Sequence, residues 1–170
     1  MMDIFSKIAE DYRVFRLVHK GNPVLNFLYL PCFKIVLIFR IGQLLHSVYL
    51  LRPFAYLCTM ANDFLHGVWI GPQVKVGKGF YLGHPRGLII NPKTEIGDYC
   101  SIIQQVTLGG PRTVIGSNVS INAGAKVISD PLKPDAVVVG DNCIIAAGAV
   151  LLRSVPANSV VAGMPAKVVR

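Results

Sequence analysis

The sequence predicts a mainly β protein, a β-solenoid preceded by an α-helical region, and two observations carry that prediction. From Val68 to Ile128 an aliphatic residue returns every six positions, usually with a glycine behind it: Ile70-Gly71, Val76-Gly77, Leu82-Gly83, Ile96-Gly97, Leu108-Gly109 and Ile115-Gly116. Six is not a helical period but is a multiple of the two-residue alternation of a strand, so each repeat reads as one short strand and one corner. The second observation is composition. The chain is 52% hydrophobic, more than a short solenoid consumes, and the excess lies in residues 1–66, which must bury it against something.

A chain of 170 residues is the size of one ordinary domain, or of one domain with an appendage. It divides into a helical region over 1–66, a solenoid over 67–155 and a closing tail over 156–170. The opening Met1-Met2-Asp3-Ile4-Phe5-Ser6-Lys7 puts charge where a signal peptide needs an apolar core, so no signal peptide is expected. A first helix is predicted with Ile4, Ile8, Tyr12 and Phe15 on one side. After Gly21-Asn22-Pro23 come two apolar runs, Val24 to Leu30 and Phe33 to Arg40. Lys34, Arg40 and Arg52 interrupt every stretch before it reaches the roughly 20 apolar residues of a membrane span. Two readings of the region stay open: a helical cap packed on the solenoid and on a neighbouring chain, or a basic, aromatic-rich surface lying on a membrane. His46 and His66 sit among apolar helical residues and read as packed, hydrogen-bonded side chains.

The net charge of +8 divides between the halves. Residues 1–66 carry seven Lys/Arg against four Asp/Glu, and residues 67–170 carry ten against five. Anionic partners are implied, either phosphate-bearing ligands or anionic lipid. No dense basic run interleaved with aromatics occurs, so no nucleic acid partner is expected. Cys32, Cys58, Cys100 and Cys143 show no CxxC or Cys/His spacing, which suits free thiols in a reducing, cytoplasmic setting.

Within the solenoid the aliphatic positions fall at 70, 76 and 82, then at 90, 96, 102 and 108, then at 115, 121 and 127, and finally at 139, 145 and 151. The rhythm slips between 82 and 90 and between 108 and 115, and stretches by a full repeat between 127 and 139. Extra residues in a solenoid leave as loops, where binding faces are commonly built. The first break holds Gly83-His84-Pro85-Arg86-Gly87, the second Gly109-Gly110-Pro111-Arg112-Thr113, and the third the polar stretch 129–135. His84 stands out as the single histidine of the repeat region. An imidazole, with an ordinary pKa of about 6.5, can serve there as a general base. One histidine is too few for a histidine-ligated zinc, so no metal is expected.

Several stretches carry a family resemblance. His84 followed by Gly87 and then Ile96-Gly97-Asp98-Tyr99-Cys100-Ser101-Ile102-Ile103-Gln104-Gln105-Val106-Thr107-Leu108-Gly109-Gly110 resembles the serine acetyltransferase branch of the hexapeptide-repeat acyltransferases. The tail Ser154 to Lys167 resembles the closing segment of that superfamily, and Phe33 to Leu45 resembles the end of the helical region of serine acetyltransferases. The resemblance implies a left-handed parallel β-helix of triangular section, three hexads per coil. It also implies a homotrimer with sites in clefts between subunits, and acetyl-CoA as cosubstrate. In these terms His84 matches the catalytic base, and Gly110, Ala123 and Ala147 match positions along the CoA arm. A Gly109/Gly110 amide is the candidate oxyanion donor. Arg153, Lys167 and Arg170 are candidates for the CoA phosphates, from charge and tail position. Arg86, Trp69 and Arg112 are candidates for the acceptor.

Four departures shape the expected acceptor. Gly83 stands where serine enzymes have the Asp before the histidine, Trp69 and Pro92 replace acidic residues, and Gly110 to Ile115 is too short for the loop carrying their second histidine. A zwitterion needs its buried charges paired. The expectation is therefore a neutral hydroxyl on a sugar of a surface polysaccharide, in the manner of capsule and exopolysaccharide O-acetyltransferases. A lipid-linked acceptor would place the protein at the inner face of the membrane. Serine O-acetylation and a non-catalytic trimeric scaffold are the alternatives.

Overall fold

The computed structural model describes residues 2–130, 132 and 135–170. Pro131, Lys133 and Pro134 of the 129–135 stretch lie outside the described residues. Four helices come first: α1 (Met2–Val18), α2 (Pro23–Tyr29), α3 (Pro31–His46) and α4 (Arg52–His66). Proline sits in the first turn of the last three, where its missing N–H is not needed. Asn22 caps α2 by accepting from the amides of Val24 and Leu25. Gly67, at φ 65°, ends α4 in the left-handed conformation.

The β-helix winds through five coils. The first holds β1 (Val68–Ile70), β2 (Lys75–Val76) and β3 (Tyr81–Gly83), and the second β4 (Leu88–Ile90), β5 (Glu95–Ile96) and β6 (Ser101–Ile103). The third holds β7 (Thr107–Gly109), β8 (Thr113–Ile115) and β9 (Ser120–Ile121), and the fourth β10 (Lys126–Ile128), β11 (Val137–Val139) and β12 (Ile144–Ile145). The fifth has β13 (Val150–Leu151), a single bridge from Val155 to Val139, and β14 (Val160–Gly163). The tail strand β15 (Ala166–Val168) turns back antiparallel on β14. Parallel pairing gives three faces: β1-β4-β7-β10-β13, β2-β5-β8-β11, and β3-β6-β9-β12-β14 closed by β15.

The six-residue rhythm follows from this winding. Inward positions such as Ile70, Leu82, Leu88, Ile102, Leu108, Ile121 and Ile145 are buried in one continuous core, each such side chain contributing about 1.5–3 kcal/mol relative to exposure. The glycines behind Val76, Ile96, Ile115 and Val139 stand where successive coils touch. A Cβ on Gly97 would lie 2.7 Å from the carbonyl carbon of Gly116, closer than any side chain can approach. Cys100 and Cys143 are buried free thiols. Burial pushes the Cys100 thiol up to about 11.

The rhythm breaks map onto two edges of the prism. Register partners Trp69 and Ile89 are 20 residues apart (89 − 69), Ile89 and Thr107 are 18 (107 − 89), and Thr107 and Lys126 are 19 (126 − 107). Lys126 and Val150 are 24 apart (150 − 126). Against the 18 residues of three hexads, the first break adds two residues where the third face turns into the first. The second and third add one and six where the first face turns into the second.

The helices are joined to the first coil through a buried ion pair. Asp11 and Arg40 are both fully buried, with Arg40 Nε 2.8 Å from Asp11 Oδ2. Arg40 also donates to the carbonyls of Val76 and Gly77 and to Gln43 Oε1, while Asp11 Oδ1 accepts from the Phe80 amide at 2.7 Å. The inward side of α1 therefore centres on Asp11 and Phe15, whereas Tyr12, expected on that side, is 37% exposed. In α4 the buried residues are Ala55, Thr59 and Asn62, and the exposed ones include Phe54, Leu57, Met60 and Phe64. Polar contacts seat its inner face: Thr59 Oγ1 donates to Ile70 O, and Asn62 Nδ2 to Ile35 O. No single described helix is long and apolar enough to cross a membrane; α2 and α3 pass together by length and composition but meet at a 78° bend.

Candidate active site

His84 is raised on the two-residue insertion between β3 and β4, and backbone hydrogen bonds hold that insertion from three sides. The Arg86 amide donates to His84 O at 2.8 Å, the Gly87 amide to Gly67 O at 2.8 Å, and the Gln105 amide to Arg86 O at 3.0 Å. The loop is thus pinned to the end of α4 below and to the second coil above. His84 has φ 48°, in the left-handed region that costs a non-glycine residue about 1 kcal/mol or more and is concentrated at functional sites. Pro85 is buried and His84 exposed, so the loop is anchored by its proline and presents its imidazole.

Beneath His84 lies a cavity of about 160 Å³ lined by Pro31, Ile35, His66, His84, Pro85 and Arg86. A larger hollow, about 690 Å³, opens on the second face between Lys7, Gln43, His46 and the first three coils. It contains neither His84 nor any other residue from a rhythm break, and the smaller cavity, which His84 lines, is the candidate site. His66, expected to be a packed helix histidine, instead lines this cavity. Its imidazole is held below its ordinary pKa by burial, then by the nearby charges of Lys34 and Arg86. His19, from the end of α1, accompanies it: its Nε2 is 3.0 Å from the Tyr81 hydroxyl, and burial and the charge of His84 lower its pKa. Sequence reading missed His19 and the place of His66 beside His84, because positions 65 and 18 residues from His84 (84 − 19 and 84 − 66) give no signal in spacing.

The other site residues fall into two sets. The Gly124 amide donates to Gln104 O at 2.9 Å, and the Gly148 amide to Ala123 O at 2.8 Å, so Ala123 and Ala147 stack above Gln104 on the edge that carries His84 and Arg86. Gly109, Gly110 and Arg112 lie on the other edge. There Gly110 has φ 84° and a Cβ on it would collide with the backbone of Ser129. The Ser129 amide donates to Gly109 O at 3.1 Å, and the Arg112 amide to Ser129 Oγ at 3.0 Å. Arg153 follows β13 toward this same edge. Lys167 pairs with Ala162 on the third face, and Arg170 O accepts from the Val160 amide. Between the edges, the first face turns Trp69 outward beside Ile89, 43% and 50% exposed. One chain therefore separates His84, Ala123 and Ala147 from Gly109, Gly110, Arg112 and Arg153 by the width of a face.

No protein-family model matches the chain. It is 31% identical to the serine acetyltransferase of Synechococcus elongatus over an alignment of 178 residues, covering 98% of this chain and 69% of that protein. It is 33% identical to the serine acetyltransferase of Helicobacter pylori over 149 residues, covering 82% of this chain and 81% of that one. Among solved structures it is similar to Brucella abortus serine acetyltransferase in complex with coenzyme A, with TM-score 0.85 and 28% identity over 96% of this chain and 66% of the other. Neisseria gonorrhoeae serine acetyltransferase in complex with serine gives TM-score 0.87 and 27% identity over 99% and 70%.

These relatives correct the expectation of a polysaccharide O-acetyltransferase with a sugar acceptor: both curated relatives are serine acetyltransferases, and one solved structure carries serine. The expectation rested on Gly83, Trp69, Pro92 and the short Gly110–Ile115 segment, each judged at its own place in the chain. Those positions lack acidic groups and a second histidine, and that lack says nothing of the carboxylate end of a zwitterion, which a cation pairs. Arg86 shares the His84 cavity, and the opposite edge carries Arg112 and Arg153.

Proposed function

We propose that this chain, which belongs to the serine acetyltransferase family of the hexapeptide-repeat acyltransferases, moves the acetyl group of acetyl-CoA to the hydroxyl of serine. The observation that carries the reading is His84, an exposed imidazole on a loop clamped at the edge of a β-helix whose relatives share that activity by name. Serine's hydroxyl is a poor nucleophile at neutral pH. His84 takes its proton as the oxygen attacks the thioester carbonyl, an assistance worth about 10² to 10⁴ in rate. The tetrahedral oxyanion takes a hydrogen bond from an amide at Gly109 or Gly110, worth about 10² or more. Collapse breaks the carbon–sulfur bond, and the departing thiolate takes back the proton from the imidazolium. O-acetylserine and CoA leave with no covalent enzyme intermediate.

In this reading acetyl-CoA runs along small residues, with Ala123 and Ala147 on the His84 edge and Gly110 on the other. Their separation within one chain favours a homotrimer in which the His84 edge of one copy faces the Gly110 edge of the next. Arg153, Lys167 and Arg170 are then candidates for the CoA phosphates, and Arg86, Trp69 and Arg112 for the serine carboxylate and the walls around it.

Thiol release from acetyl-CoA tests the proposal, measured with serine, with simple sugars and with no acceptor. Release that saturates with serine, together with O-acetylserine in the product mixture, is expected. Release that responds to sugars but not to serine would overturn the assignment.

A further inference from the structure

We propose that Tyr81, held by His19, is a positioning residue for His84: its phenol oxygen, hydrogen-bonded to His19 in the structure, accepts a hydrogen bond from one ring nitrogen when the exposed imidazole turns to it, and leaves the other to take the proton of the substrate. The inference rests on His84 being the base, as read above, and adds the group that orients it.

An imidazole works as a base only when its ring is turned correctly and its proton sits on the far nitrogen, which is set by a partner on that far side. The residue just before His84 cannot supply one. Gly83 has no side chain, and a Cβ built there would lie 2.7 Å from Ile103 Cγ2 and 3.2 Å from Tyr81 Cε1. The space a side chain at 83 would need is filled by the Ile103 methyl and, behind it, the Tyr81 ring, whose hydroxyl oxygen lies 3.5 Å from that Cβ position. The polar atom beside position 83, the residue next to His84, is therefore a phenol oxygen.

That phenol is fixed and its proton has an assigned place. His19 Nε2 stands 3.0 Å from the Tyr81 oxygen, and the two rings lie 5.9 Å apart. His19 is itself set by its neighbours: its ring packs 4.8 Å from that of Phe15, and its carbonyl accepts from Asn26 Nδ2 at 2.9 Å. Burial, and then the charge of His84, hold His19 below its ordinary pKa, so it is neutral and can accept. Burial also pushes the Tyr81 hydroxyl up, with Cys32 adding to the shift, so the phenol keeps its proton. The proton points to His19, and the remaining lone pair faces away from it.

The other titratable groups around the cavity are Arg86 from the loop, His66 from α4 and, acting on His66, Lys34 from α3. Arg86 and Lys34 only donate and cannot accept from an imidazole N–H. His66 could accept, and a His66→Gln control in the same experiment separates the two partners.

The test uses the full chain as wild type, Tyr81→Phe, His19→Ala, His19→Gln and His66→Gln. Serine-dependent turnover is measured alongside ¹⁵N spectra of the histidine rings, the His84 signals being assigned from His84→Ala. Tyr81→Phe keeps the ring and removes the oxygen. It is expected to lower kcat about tenfold or more, with KM for both substrates little changed. In the ¹⁵N spectra His84 passes from a single neutral tautomer to a mixture. His19→Gln, whose amide oxygen can still accept from the phenol, recovers most of what His19→Ala loses. Wild-type kcat and an unchanged His84 tautomer in Tyr81→Phe would overturn the proposal, as would the same tautomer loss appearing only in His66→Gln. A wild type that ignores serine would overturn the acceptor assignment instead, while the nitrogen spectra still decide the role of Tyr81.

Discussion

His84→Ala lowers serine-dependent CoA release by about 10² to 10⁴ and leaves the protein folded. The imidazole is exposed, and the contacts that hold its loop are main-chain hydrogen bonds from Arg86, Gly87 and Gln105 together with the buried Pro85. None of them uses the side chain. Alanine has the same difficulty as histidine at φ 48°, so the backbone term is nearly unchanged and the melting temperature should stay within a few degrees of wild type. The loss should fall on kcat rather than on the KM of either substrate, because the proton transfer is an interaction made in the transition state. Steady-state kinetics and thermal unfolding of the same preparation check both halves. Full turnover in His84→Ala would move the base elsewhere.

Arg40→Met unseats the helices from the first coil, at a cost of about 3–5 kcal/mol. Asp11 and Arg40 side chains are both 0% exposed, so removing the guanidinium leaves a buried carboxylate with only the backbone amides of Phe80 and Gly79 still directed at it. The carbonyls of Val76 and Gly77 each lose the Arg40 donor in the same step, Val76 O keeping Lys7 Nζ at 3.3 Å. Burial drives the Asp11 carboxyl toward its neutral form and Arg40 opposes this, so the variant relaxes partly by taking up a proton. Asp11→Leu combined with Arg40→Met removes both charges and should recover part of the lost stability, as replacement of a whole buried pair does elsewhere. Urea unfolding of the three proteins measures the difference. Activity falls with Arg40→Met as well, because α3 brings Pro31 and Ile35 to the His84 cavity and α1 brings His19 to Tyr81.

Much of the architecture was legible in the sequence because one physical requirement recurs at one spacing. Each hexad turns its aliphatic residue and the residue two places before it inward, as at Val74/Val76 and Leu88/Ile90, and where coils touch only glycine fits behind the second, as at Gly97 against Gly116. Breaks in that spacing located the loops, and with them His84. The helical region was less legible. Its first helix turns inward around Asp11, a charge that hydropathy assigns to solvent, and only Arg40, 29 positions away, makes that burial tolerable. The surroundings of His84 were least legible of all. His19, Tyr81 and His66 arrive from two helices and a strand, brought together by packing rather than by pattern. The acceptor was misread for a related reason: the charges around a small zwitterion are set by where chains and edges meet in space, and a count of residues at motif positions does not contain that.

In the proposed enzyme an imidazole of one copy works against a thioester laid along the opposite edge of another. A crystal structure of the protein with CoA bound measures this directly. It should show the CoA sulfur within about 4 Å of where a serine hydroxyl held by His84 would sit, with Ala123 and Ala147 beside the pantetheine arm and Gly110 contributed by the adjacent subunit. CoA bound away from His84, or held entirely by residues of a single chain, would contradict it.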